Sequence, residues 1–308
     1  MKKNFTIGAI WLLAFIGSMS GQDTTIIPIW GDYMPNYQVT NEKEERTNEG
    51  ILRIAKVQTP TLEVFKPSSG SGSNAAVIIC PGGGYRILAY EWEGTDIAKW
   101  FNTKGITAFV LKYRLPDASS VVTSYEAPLQ DVQRAIRLVR SKSAEWGINP
   151  DKIGIMGFSA GGHLASTAGT HFNNANTFEG DAIDELSARP DFMILGYPVI
   201  SMQEGITHQG SKSSLLRSSP TPELVARFSN ETRVTHQTPP TFLVHSGDDK
   251  AVPVANSLMF YEALIVHDVP VEMHIYPFGG HGYALAWNKR QLEKWPELLW
   301  AWLREIIK

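Results

Sequence analysis

Apolar residues in this chain come in short continuous runs separated by stretches of helical spacing. Residues 75–80 (Ala-Ala-Val-Ile-Ile-Cys), 106–111 and 153–156 are largely apolar, the pattern of strands buried on both faces. Residues 61–65 alternate, which predicts a half-buried strand. Between them, residues 94–103 place Ile97, Ala98 and Phe101 at helical spacing before Gly105, and residues 127–146 form a long amphipathic pattern ending at Gly147. Further on, residues 191–197, 241–245 and 271–276 read as strands. Residues 254–267 and 287–307 read as helices, the last interrupted by Pro296. Strands alternating with helices predict a mostly parallel sheet covered on both faces. Residues 22–60 read as a polar, irregular N-terminal extension, residues 61–308 as one α/β domain, and residues 199–239 as a candidate cap insertion within it.

The N-terminus adds a second signal. Lys2 and Lys3 precede an apolar run at residues 7–16, and Gly17, Ser18, Ser20 and Gly21 follow. That order is expected of a secretory signal peptide at residues 1–21, and the run is short for a membrane span. The expected location is therefore periplasmic or secreted, with no stable membrane association once the signal is removed. The single cysteine, Cys80, excludes an intrachain disulfide and reads as a small buried apolar residue. A net charge of -3 gives no basis for a nucleic-acid partner.

Candidate chemistry centres on Gly157-Phe158-Ser159-Ala160-Gly161, a G-x-S-x-G pentapeptide. An apolar strand runs into it, and small residues leave it at helical spacing. Strand, sharp turn with serine at the apex, then helix is the nucleophile elbow of the α/β-hydrolase fold. Serine needs a base, and the base needs an orienting carboxylate. In this fold they follow the serine in the order acid, then histidine, each in a loop after a late strand. Ser246-Gly-Asp248-Asp249 follows one late strand, and Gly279-Gly-His281-Gly282 follows the next. Asp249 is preferred over Asp248 because it stands four residues before Pro253. The candidate catalytic set is thus Ser159, Asp249 and His281. Oxyanion donors are expected from the backbone N–H of Ala160 and from the glycine loop after strand 75–80, at Gly83 or Gly84.

Other features weigh less. His163, four residues after Ser159, is expected to fix neighbouring loops. The remaining histidines make no metal-binding spacing, so neither metal nor cofactor is expected. Gly82-Gly83-Gly84 lacks the Gly-Lys-Ser/Thr of a phosphate loop. Asp131, Arg134 and Arg137 on the long helix read as a surface or inter-helix ion-pair set. Tyr85, Trp92, Tyr197, Tyr283 and Trp287 flank the site loops, where aromatic rings either pack or stack on a substrate.

Six blocks together resemble the α/β-hydrolase-fold carbohydrate esterases, of the acetyl xylan esterase and feruloyl esterase-like group. They are Pro81-Gly-Gly-Gly-Tyr85, Leu111-Lys-Tyr-Arg-Leu115, Asp131-x-x-Arg-Ala135, Gly157-Phe-Ser-Ala-Gly-Gly-His163, His245-Ser-Gly-Asp-Asp249 with Val252-Pro253, and Gly279-Gly-His-Gly282. One departure is Pro81, where many relatives carry histidine. The resemblance implies a serine ester hydrolase that removes acetyl or hydroxycinnamoyl groups from plant or algal polysaccharides such as xylan, with an acylated oligosaccharide or polysaccharide as substrate. Two other readings stand beside it. One is a prolyl-oligopeptidase-like serine peptidase, whose large propeller would not fit in the roughly forty residues before the first domain strand. The other is a non-catalytic binding protein on a hydrolase scaffold, for which loss of a triad member would be expected.

Overall fold

The computed structural model describes residues 25–68, 72–174 and 177–308; the expected signal peptide lies outside them. The centre is an eight-stranded sheet in the order β1-β4-β7-β5-β8-β9-β10-β11. Its strands are β1 (Thr25–Pro28), β4 (Thr61–Phe65), β5 (Ala76–Cys80), β7 (Thr107–Lys112), β8 (Ile153–Phe158), β9 (Met193–Gly196), β10 (Thr241–Ser246) and β11 (Val271–Tyr276). All neighbours from β7 to β11 pair in parallel, while β1 and β4 add an antiparallel edge. Strands β5, β7, β8, β9 and β10 are buried throughout. Their apolar runs follow from that double-sided cover.

Side-chain alternation along β8 assigns the two faces. A Cβ on Gly157 would lie 2.1 Å from the carbonyl oxygen of Gly161 in α4 (Ser159–Thr170), so that face is closed by α4. On the other face Phe158 meets Trp295 edge-on at 6.5 Å, and a Cβ on Gly154 would strike Phe192, itself packed on Trp302. Trp295 and Trp302 belong to α8 (Trp295–Ile306). Helix α1 (Asp96–Thr103) is linked to α8 where Lys104 pairs with Glu297 at 2.9 Å. Helix α2 (Ala127–Ser141) packs beside α4, and α7 (Ala255–Val266) covers β10 and β11. Short helices α3 (Ser143–Trp146), α5 (Gln209–Leu216) and α6 (Pro222–Arg227) are the other α-helices among the described residues.

Three expectations from sequence change. Residues 25–60 are not simply irregular. They supply β1 to the central sheet, and β2 (Glu45–Thr47) and β3 (Arg53–Ala55) to a small antiparallel sheet with β6 (Ile87–Ala89). Pro296 does not interrupt the last helix. It sits in the first turn of α8, where its missing N–H costs nothing, and residues 290–294 before it form a separate 3-10 turn. Finally, Asp131 is not on the surface. It is fully buried and accepts from the Arg114 guanidinium (Nη2 at 2.7 Å), the Arg114 backbone N–H and the Trp30 indole. Arg134 turns the other way, to Asp181 and Asp184. Arg114 also donates to the Pro35 carbonyl, so this buried pair fastens the N-terminal residues onto the end of β7. Among the described residues no helix is long and apolar enough to cross a membrane.

Candidate active site

Loops from the carboxyl ends of β5, β8, β9, β10 and β11 converge at one point of the sheet, where open α/β sheets place their sites. Ser159 follows β8 directly and holds φ at +52°, a left-handed conformation that L-residues adopt at a cost. The turn is possible because its neighbours carry no side chains. A Cβ on Gly161 would stand 2.1 Å from the Cys80 carbonyl oxygen, and one on Gly157 would strike the helix backbone.

Of the two candidate aspartates, Asp249 is the one that meets His281. Its Oδ2 lies 2.6 Å from His281 Nδ1, and His281 Nε2 lies 2.9 Å from Ser159 Oγ. Because a carboxylate only accepts, Nδ1 carries the ring proton and Nε2 is left as the acceptor facing the serine hydroxyl. Oδ1 of Asp249 accepts from the backbone N–H groups of Ala251 and Val252, both at 2.9 Å. Burial pushes the Asp249 pKa upward. Hydrogen bonds from His245 and His281 and the Val252 N–H outweigh it and hold the carboxyl well below the ordinary range. Asp248 acts on the loop instead. Its Oδ1 accepts from Gly279 and Gly280 N–H, which ties down the segment that carries His281.

The glycine loop stands above the serine. The N–H of Gly82 is taken by Glu93 Oε2 at 2.9 Å. Those of Gly83 and Gly84 have no hydrogen-bond partner among the described residues, at φ of +132° and +65°. Ala160 is in the first turn of α4, where backbone N–H groups lack an intrahelical acceptor. These three N–H groups belong to residues next to Ser159 in the chain or on the cleft it lines, and have no partner among the described residues. An open cleft of about 420 Å³ is lined by Gly83, Gly84, Trp92, Ser159, His208 and His281.

Four further residues belong to this site and were not singled out for these roles in the sequence. Glu93 is buried, and burial pushes its pKa up, offset in part by the Tyr197 hydroxyl. It accepts from Gly82 N–H and from Tyr197 Oη at 2.7 Å. Tyr197 in turn accepts from Ala284 N–H and lies edge-on to the His281 ring at 4.9 Å. Glu93 and Tyr197 thus brace the glycine loop against the histidine loop. His245, also buried, places Nε2 at 3.2 Å from Asp249 Oδ2 and 3.0 Å from the Val252 carbonyl, with Nδ1 on Ser257 Oγ. His208 enters from residues 199–239. The Ser-Gly-Asp-Asp block pointed to the neighbourhood of His245, but no local signal marked Glu93, since its importance lies in contacts across the fold.

His163 acts as expected of a loop anchor. It is fully buried, with Nε2 on the Phe228 carbonyl and Nδ1 on Tyr85 Oη, both at 2.8 Å. Tyr85, Tyr197 and Tyr283 are buried and unavailable for stacking on a substrate. Trp92 lines the cleft and donates to the Gly282 carbonyl, and Trp287 is exposed.

A mostly parallel sheet with a serine elbow at its centre, glycine loop on one side and acid and histidine loops on the other, defines an α/β-hydrolase. The same architecture is found in the acetyl ester-xyloside bifunctional hydrolase from Caldicellulosiruptor lactoaceticus. It is 40% identical, with a TM-score of 0.79, over 92% of this chain and 96% of that one. The chain belongs to the BD-FAE family, whose profile matches residues 62–264. It is 35% identical over 246 residues to the acetylxylan esterase of Xylanibacter ruminicola, covering 79% of this chain and 47% of that protein. It is 37% identical over 210 residues to endo-1,4-beta-xylanase B of Butyrivibrio fibrisolvens, covering 68% of this chain and 32% of that protein. The chain spans less than half the length of these two relatives.

Proposed function

We propose that this protein is a serine carboxylesterase that removes acetyl groups from xylan or xylo-oligosaccharides through an acyl-serine intermediate. The observation that carries the proposal is the unbroken line Ser159 Oγ, His281 Nε2, His281 Nδ1, Asp249 Oδ2, with steps of 2.9 Å and 2.6 Å, facing unpaired backbone donors. Acetyl rather than hydroxycinnamoyl release is favoured by the names of the relatives, an acetylxylan esterase and an acetyl ester-xyloside hydrolase.

In this reading Ser159 Oγ attacks the ester carbonyl and its proton passes to His281 Nε2. Asp249 stabilises the imidazolium and keeps Nδ1–H in place. The carbonyl oxygen, now negative, receives hydrogen bonds from Ala160 N–H and from Gly83 or Gly84. Gly82 is committed to Glu93 and takes no part. His281 then protonates the departing sugar oxygen. Water, deprotonated by the same nitrogen, attacks the acyl-serine and releases acetate. Each oxyanion donor is worth about 3–4 kcal/mol of transition-state stabilisation. Export through the N-terminal signal segment fits a polysaccharide substrate that does not enter the cell.

Ser159→Ala tests the reading. Acetate release from acetylated xylan and hydrolysis of p-nitrophenyl acetate should both drop to near background. Retention of either activity in the variant would remove Ser159 from the nucleophile's role.

A further inference from the structure

Segment 199–239 reaches the cleft through His208, and the ring's protonation pattern is fixed by the protein. His208 precedes α5, and its Nδ1 accepts from the backbone N–H of Ser211 at 3.2 Å, with Ser211 Oγ at 2.8 Å. A nitrogen that accepts from a backbone N–H carries no proton, so in the neutral ring the proton is on Nε2. Nε2 has no hydrogen-bond partner among the described residues. The ring lines the same cleft as Ser159, Gly83, Gly84 and His281. A Cβ on Gly84 would come within 3.8 Å of His208 Cε1, which puts the ring beside the glycine loop. Burial, and next the nearby His281, lower the His208 pKa and so favour the neutral ring. The result is a fixed N–H donor at the cleft with nothing in the protein to satisfy it.

An acetyl ester offers that donor little on its acyl side. The methyl group accepts nothing, and the carbonyl oxygen is served by Ala160 and the glycine loop. The remaining acceptors are on the alcohol half, as sugar hydroxyl or ring oxygens. We propose that His208 is a specificity-determining residue whose Nε2–H donates to an oxygen of the sugar that carries the ester, selecting glycosyl esters over esters of simple alcohols. This rests on the esterase reading above.

The test compares kcat/KM on an acetylated xylo-oligosaccharide with kcat/KM on p-nitrophenyl acetate, whose leaving group has no sugar oxygens. His208→Asn retains a side-chain acceptor for Ser211 N–H, so the α5 cap and the melting temperature are kept, while its shorter amide places no N–H where Nε2 stood. His208→Ala loses both. The oligosaccharide-to-phenyl preference should fall about tenfold in each variant, the weight of one hydrogen bond to a neutral oxygen. A merely structural role would lower both activities together and leave the ratio unaltered, which would overturn the proposal. A wild-type enzyme that cleaves p-nitrophenyl acetate but no acetylated sugar would overturn the substrate reading and this inference with it. A changed activity with an unchanged ratio overturns only the latter.

Discussion

At the scale of single residues, the two adjacent aspartates divide the work of holding one histidine. Asp249 binds the imidazole and Asp248 binds the loop that carries it. This difference gives a sharp kinetic prediction. In Asp249→Asn the amide can donate to Nδ1, stabilising the tautomer with its proton on Nε2, and kcat should fall by about 10⁴. In Asp248→Asn the remaining amide oxygen still accepts from Gly279 and Gly280, so steady-state kinetics should show far less loss. The opposite ranking would exchange their roles. Asp249 was legible in the sequence through its spacing to Pro253. Its partner His245 was not, because the contact at 3.2 Å depends on how the chain turns after β10.

At the scale of elements, the elbow depends on glycines that let α4 approach β8 and the end of β5 within backbone contact. The buried Arg114–Asp131 pair acts between other elements. It joins the end of β7 to α2 and, through Trp30 and Pro35, to the N-terminal residues. Replacing Asp131 with Ala leaves a fully buried guanidinium without its counter-charge. Breaking such a pair costs about 3–5 kcal/mol, so calorimetry should show Tm lowered by several degrees or more. Asp131→Asn, which keeps an acceptor oxygen, should lose less. An unchanged Tm in the alanine variant would mean that water reaches Arg114. The helical periodicity of residues 127–146 was readable, although the structure divides it into α2 and α3 at Lys142. The burial of its charged residues was not. A polar residue has the same letter whether its partner is solvent or a strand end.

At the scale of the whole molecule, buried histidines connect stability to pH. Burial pushes the His163 pKa down to about 4 from 6.5, and that of His171 likewise to about 4. Between those values the unfolded chain binds protons that the folded chain does not, so stability rises with pH across that window. It is fully present above about pH 6.5 and is lost as pH falls toward 4. Each histidine accounts for up to ~3 kcal/mol of that loss. Melting curves from pH 7 to pH 4 should therefore show a steep decline. His163→Gln, which can still accept from Tyr85 and donate to Phe228, should flatten its share. An identical slope in the variant would assign the acid sensitivity elsewhere.

The sequence by itself determined the layered α/β architecture, the elbow at Ser159 and the order of serine, acid and histidine. These are local facts: apolar runs, glycines where a turn needs them, and loops placed after strands. Tertiary structure alone decided that residues 25–28 close the sheet edge and that Glu93 and Tyr197 brace two loops across the site. It also decided that His208 lines the cleft with its Nδ1 occupied by the Ser211 N–H. These features join residues tens to more than a hundred positions apart, or depend on which ring nitrogen a backbone N–H happens to meet. Neither is encoded in the spacing of residue types along the chain; both follow from how the folded sheet brings its loops together.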